Sequence, residues 1–228
     1  MTRLIKKIDT QINLDNIRYA PDFEYKKSHY ASMDFPEIGN IDLFNIVPEP
    51  NKNSSTETKN ELLYLQGLTK SLTQSQVDLI YRVDDDPMRL FKDFILDNKL
   101  DFSTQFFTAM YYTCVIAIVD HLKFYYNRAR PYQLAEHYQI KINRVVTKTH
   151  GTPAYPSGHT MYAALIAEIL ADKYPKYKSN LDAIVDMSGK ARELQGVHYP
   201  SDNEAAKKII KTIYPQLKQY YMGVGYEL

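Results

Sequence analysis

Beyond residue 55, apolar side chains recur every three or four positions along most of the chain, the spacing of one buried face on an α-helix. The clearest run is Phe107, Met110, Tyr111, Cys114, Ile118, Leu122 and Tyr125. Ser103 stands where it can cap that helix, predicted to be the central one, and Lys123 falls near its C-terminal end. Before it, the pattern predicts a helix over about residues 55–71, opened by Ser54 with Glu57 as its capping-box partner. Another starts near Ser75 and carries Val77, Ile80 and Tyr81, and a third starts at Asp86-Pro87, with proline at its first position. After it, Gly158 opens a helix through Met161, Leu165, Ile166, Ile169 and Leu170 that stops before Pro175. A further helix runs from about Ser179 to Val197. The last starts at Ser201, with Glu204 as its capping partner, Ile209, Ile210 and Ile213 inward, and Lys207, Lys208 and Lys211 outward. No long alternating run argues for a sheet, and no internal repeat is present. The expected fold is all-α: a compact helical bundle, one domain over residues 1–228, with its site built from helix ends and loops of the C-terminal half.

The stretches without periodicity read as connections. Residues 1–45 read as a short helix or arm followed by irregular structure. Val47 to Ser55 is a loop by its turn residues, Pro48, Pro50, Asn51 and Asn53 among them. Residues 132–156 read as a long polar connection in which His137 and His150 are surface residues. The triplet Asp84-Asp85-Asp86 lacks the alternating ligand spacing of a calcium loop and reads as a helix end.

Composition narrows the function classes. The chain has 228 residues, 44% of them hydrophobic and 24% charged, which suits a globular domain with a sizeable core. A net charge of +1 offers no electrostatic footprint for nucleic acid or an anionic membrane as a partner. The longest apolar run, Phe106 to Val119, ends at Asp120 and His121 and is too short for a membrane span. The single cysteine, Cys114, lies in an apolar run and reads as a packed thiol. The first residues, Met1 to Ile8, are charged and lack the apolar stretch of a secretory signal, so an intracellular, cytoplasmic location is expected, or a periplasmic one if a leader has been removed. A homodimer is left open.

Chemistry concentrates in residues 120–205. Three clusters come in order: Lys123 to Pro131, containing Arg130; Tyr155 to Thr160, containing Ser157, Gly158 and His159; and Arg192 to Asp202, containing His198. Within them, Lys123, Arg130 and Arg192 supply three cations, His159 and His198 two histidines, Asp202 a carboxylate, and Ser157-Gly158 a pair opening a helix. That set suits a phosphate. Cations and backbone N–H groups hold its oxygens, one histidine attacks, and the other moves protons. Pro131 disfavours helical geometry at Arg130, so the helix bearing Lys123 is expected to break there and swing Arg130 back toward the same oxygens. Pro200 separates His198 from Asp202, which places Asp202 in the first turn of the last helix. A His/His/Asp set also suits zinc, but the nearby cations argue against a metal.

These clusters resemble the type-2 phosphatidic-acid phosphatase superfamily, which includes soluble class A acid phosphatases and vanadium haloperoxidases. Its pattern K-x6-R-P, P-S-G-H and S-R-x5-H-x3-D is met at every charged and catalytic position. Ala191 stands where the family usually has serine. The resemblance implies a metal-independent, cofactor-free phosphatase for small phosphomonoesters, with His198 as nucleophile and Asp202 orienting it. His159 would be the general acid and base, and Lys123, Arg130, Ser157, Gly158 and Arg192 would bind the phosphate. It also implies that the segment Pro48 to Ser55 borders the site. A vanadium-dependent haloperoxidase and a non-catalytic phosphate-binding module are the alternatives.

Overall fold

A computed structural model of the chain describes residues 12–20 and 43–227. The expected arm over residues 1–45 lies mostly outside the described residues. The architecture is all-α. In order come α1 (Leu43–Ile46), α2 (Thr56–Thr69), α3 (Gln74–Asp85), α4 (Arg89–Asp97), α5 (Thr104–Met110), α6 (Ile116–Tyr126), α7 (Pro131–Ala135), α8 (Gly158–Lys173), α9 (Lys178–Leu194) and α10 (Pro200–Gly223). Among the described residues there is no sheet; one isolated antiparallel bridge joins Arg18 to Arg128. Among the same residues no helix is long and apolar enough to cross a membrane.

Helix α8 occupies the centre, a place the sequence pattern assigns instead to the helix capped by Ser103. Residues Thr160, Met161, Ala163 to Ala167, Ile169 and Leu170 of α8 are buried, so this helix is enclosed on nearly every side. It packs most extensively against α9 and α10. The Ser103-capped helix has one solvent side. A π-helical turn over Tyr111–Val115 joins α5 to α6, and the extra residue it inserts rotates α6 about the helix axis relative to α5. Tyr125, predicted to face inward, is accordingly 45% exposed.

Several helix starts differ from expectation, for a shared reason: the expected cap is engaged by a distant partner, or a better one lies beside it. The cap of α2 is Ser55, whose hydroxyl accepts from Thr58 N–H at 3.1 Å. Ser54 is held by Asp15 instead, donating from its amide and its hydroxyl. Thr73 and Gln76 form a reciprocal capping box on α3. Residues 86–88 form a turn, with Met88 N–H donating to Asp86 at 3.0 Å, so α4 begins at Arg89 and not at Pro87. Helix α10 begins at Pro200, and Asp202, not Glu204, reaches back to accept from Tyr199 N–H at 2.9 Å.

The apolar core forms two clusters. The large one gathers α5, α6, α8, α9 and α10 and includes Val119, Leu122 and Met161. The small one lies under α2 and α7 and includes Leu62, Ala129, Leu134 and Tyr199. The turn from Lys123 to Arg130 therefore crosses from one cluster to the other.

Gly196, between α9 and His198, adopts φ +78°, and a Cβ there would sit 2.7 Å from Ile142 Cγ2. Gly196→Ala is expected to lower stability by about 1–2 kcal/mol from the left-handed backbone alone, with the clash adding to it. Urea unfolding measures this, and an unchanged midpoint would show that the turn re-forms without strain.

Candidate active site

The backbone between Lys123 and Pro131 reverses within a few residues. Asn127 takes a left-handed conformation (φ 45°) and its N–H closes α6 on Lys123 O at 2.9 Å. Arg130 is extended (φ −67°, ψ 153°), as the following proline requires. The break expected at this point is present, and it returns Arg130 to the Lys123 side.

All three expected cations are buried. Lys123 Nζ donates to Pro153 O at 2.5 Å. Arg130 donates from Nε to Thr152 O at 2.9 Å and from Nη1 to Val197 O at 2.7 Å. Arg192 donates from Nη2 to Thr149 O at 3.0 Å and pairs through Nη1 with Asp84 at 2.7 Å. Its Nε is buried with no hydrogen-bond partner among the described residues. The connection after α7 thus supplies a carbonyl to each cation.

His198 lies between two charged groups. Arg130 Nη1 is 2.9 Å from its Nε2, and Asp202 Oδ2 is 3.1 Å from its Nδ1. A guanidinium only donates, so Nε2 must present its lone pair and Nδ1 must carry the proton. Asp202 is fully buried and is fixed on its other side by Arg128 Nη1 at 2.5 Å. Arg128 in turn donates to Ser201 Oγ and pairs with Glu61 at 3.3 Å, with its guanidinium 3.9 Å over the Tyr199 ring.

Ser157 takes the N-cap position of α8 without a capping hydrogen bond from its side chain. Its hydroxyl lies 3.0 Å from Thr160 Oγ1, which donates to Asn203, and its N–H donates to Asp202 O. Gly158 and His159 begin the helix, and His159 Nε2 is 3.5 Å from Thr149 Oγ1. Thr149 also donates to Asp84, as do Thr147 Oγ1 and Lys148 N–H.

Lys123, Arg130, Gly158, His159 and His198 line one cavity of about 450 Å³. Arg192 is tied to the same wall through Thr149, and Ser157 and Asp202 stand behind it. The Pro48 to Ser55 segment does not border this cavity. Its residues Glu49 to Asn53 line a separate groove with Tyr125, Tyr126 and Arg128.

Burial and mutual repulsion shape the charges. Lys123 is pulled well below the ordinary lysine range by burial and by Arg130, and Arg130 is lowered to about 10 by burial and by Arg192. His198 is pushed well below 6.5 by burial, then by Arg130 and Lys123; His159 likewise by burial and Arg192. Burial raises Asp202 to about 6 against the pull of Arg128. Burial also works to raise Asp84, but hydrogen bonds from Thr147 and Thr149, together with Arg192, hold it below the usual carboxylate range.

The sequence pattern alone does not single out Arg128, Asp84, Glu61 or the loop carbonyls. Arg128 stands two residues before Arg130, inside the first cluster, and a third cation there is the available signal. Asp84 reads in sequence only as part of a helix end. His137 is exposed as expected, whereas the His150 ring has its Nε2 buried.

Residues 105–207 match the family described as the PAP2 superfamily. A non-specific acid phosphatase of Salmonella typhimurium is 33% identical over 88 residues, covering 38% of this chain and 34% of the relative. A non-specific acid phosphatase of Salmonella typhi is 32% identical over 87 residues, covering 38% and 34%. The matched region thus spans about a third of the length of these curated relatives. Among solved structures, a transmembrane PAP2-type phosphatidylglycerolphosphate phosphatase from Bacillus subtilis superposes with a TM-score of 0.50 at 13% identity, over 77% of this chain and 91% of that one. At that identity the likeness is one of fold.

Removing Arg128 leaves Asp202 and Glu61 without their shared cation in buried surroundings. Arg128→Ala is expected to cost about 3–5 kcal/mol of stability, the range for breaking a buried ion pair from one side. Arg128→Lys is expected to recover part of it. Chemical denaturation of the three proteins checks the order, and a loss below about 1 kcal/mol, the level of an exposed pair, would show that solvent replaces the cation.

Proposed function

We propose, on the match of residues 105–207 to the PAP2 superfamily, that the chain is a metal-independent phosphatase acting on small phosphomonoesters through a phosphohistidine. The observation that carries the proposal is the state of His198. Its Nε2 presents a lone pair into a cavity lined by buried cations, while Nδ1–H is held by a buried carboxylate. A neutral imidazole so oriented is a nucleophile for an electrophile that cations hold in place.

The chain's own groups supply each step. The phosphate dianion enters among Lys123, Arg130 and Arg192; among the described residues Lys123 and Arg130 donate only to carbonyls and His198, whereas Arg192 keeps its pair with Asp84. The free Nε of Arg192 and the N–H groups at the start of α8 take its oxygens. Arg130 then turns its Nη1 hydrogen bond from His198 to a phosphate oxygen, freeing Nε2. Nε2 forms a bond to phosphorus as the ester P–O bond breaks, and His159 gives its proton to the departing oxygen. Asp202 steadies the positive ring, and Arg128 keeps Asp202 in place. Water then attacks phosphorus, the P–N bond breaks, and His159 takes the water's proton.

His198→Ala is expected to abolish turnover while orthophosphate and vanadate still bind, because the three cations remain. Single-turnover assays and calorimetry check this pair of outcomes. Substantial residual turnover would remove His198 as the nucleophile.

His159 has to carry a proton at the first step, yet its surroundings pull its pKa below 6.5. The protonated fraction is therefore small at pH 8 and grows as pH falls, so the rate for a poor leaving group is expected to rise toward acid. His159→Ala should lose about 10²–10⁴-fold on an alkyl phosphate, much less on p-nitrophenyl phosphate, and should flatten the pH slope. Equal losses on the two esters in phosphoenzyme formation would mean that His159 only helps hold the phosphate.

A further inference from the structure

The cavity continues beyond the phosphate-binding end. Ile116, Val119, Asp120 and Lys123 share one face of α6 over two turns, roughly 10 Å, and all four line it. On the facing helix, His159 and Tyr162 line it in the same sense. Tyr162 meets Tyr111 edge to face, with ring centroids 4.7 Å apart, and both rings border the cavity. The region away from Lys123 is therefore aromatic and aliphatic, with a single carboxylate.

That carboxylate is Asp120. Among the described residues no hydrogen bond or ion pair holds it. Burial pushes its pKa up, and Lys123, one turn along α6, is the cation that opposes this. Lys148 also borders the cavity, but it is exposed and stands on the loop wall. Asp120 is half-buried; the buried carboxylates among the described residues are each held, Asp84 and Asp202 by an arginine and Glu193 by Tyr64 and Asn203.

We propose that this end of the cavity is a leaving-group subsite for an organic cation, an ammonium two carbons beyond the ester oxygen, held between Asp120 and the rings of Tyr111 and Tyr162. The inference rests on the phosphatase reading and names its substrate class. Asp120 and Lys123, as i and i+3 neighbours, lie about 5–6 Å apart at Cβ, close enough for one small ester to meet both side chains. Tyrosine faces attract such cations, more strongly where water is excluded. The same carboxylate repels a second anionic group on the leaving side, so esters of polyanions are excluded.

The test compares phosphocholine with 3,3-dimethylbutyl phosphate, which has the same shape without the charge. For the wild-type protein kcat/KM should favour phosphocholine about tenfold, and Asp120→Asn should bring the ratio close to one. The ratio is internal to each protein sample, so a poorly folded fraction cancels. Equal values in the wild type, or a preference that Asp120→Asn leaves intact, would overturn the subsite. If p-nitrophenyl phosphate is also not hydrolysed, the phosphatase reading fails separately. Calorimetric titration with the two esters then decides the subsite alone: tighter phosphocholine binding that depends on Asp120 supports it, and equal binding overturns it.

Discussion

Three carbonyl groups of one loop hold this site together. Thr149, Thr152 and Pro153 each accept from a different buried cation: Arg192, Arg130 and Lys123. Burying like charges beside one another is costly, because each loses its water and gains a repulsive neighbour. A carbonyl dipole recovers part of that loss without neutralising the charge. The deficit that remains shows in the lowered pKa values of Lys123 and Arg130. A dianion placed among the three cations relieves it, so the energy withheld from folding is available for binding.

The acidic groups are arranged to preserve that deficit. Asp84 stands behind Arg192, and Asp202 and Glu61 stand behind His198, joined through Arg128. These carboxylates orient cations and the imidazole but do not line the cavity. Had any of them done so, it would have compensated the buried cations directly. Asp120 is the carboxylate that does line the cavity, one turn along the helix from Lys123.

The fold class and the cluster order were legible because both rest on local rules. Periodic apolar positions mark buried faces, and Arg130-Pro131 and His198-Tyr-Pro200 mark breaks whose geometry proline dictates. The structure has both breaks where those prolines require them. What the sequence hides is what depends on distant partners. Every residue has a carbonyl, so nothing in the composition of residues 149–153 marks them as the cation cradle. Asp84 gains its meaning from Arg192 and from three donors of the 147–149 loop. Ser54 satisfies every local requirement for a cap, but Asp15, distant in sequence, engages it and Ser55 takes the role. The place of Pro48 to Ser55 at a different groove has the same origin: Asn53 is committed to the carbonyls of Leu14 and Ile17.

The reach of those contacts explains why residues 12–20 matter to a site they do not line. The segment bridges to Arg128, and Tyr19 donates its N–H to Asn127 O at 3.0 Å. Asn127 exchanges side-chain hydrogen bonds with Ala20, and Gln133 donates to Tyr19 O. Every one of these contacts falls on or beside the reversal that carries both Arg128 and Arg130. A left-handed residue such as Asn127 is an intrinsically weak point in a backbone. Here it is clamped from outside, while the loop carbonyls and His198 clamp Arg130 from inside. Arg130 has to exchange one hydrogen bond during the proposed reaction without moving its backbone, and a turn held on both faces allows the side-chain exchange while resisting the backbone shift.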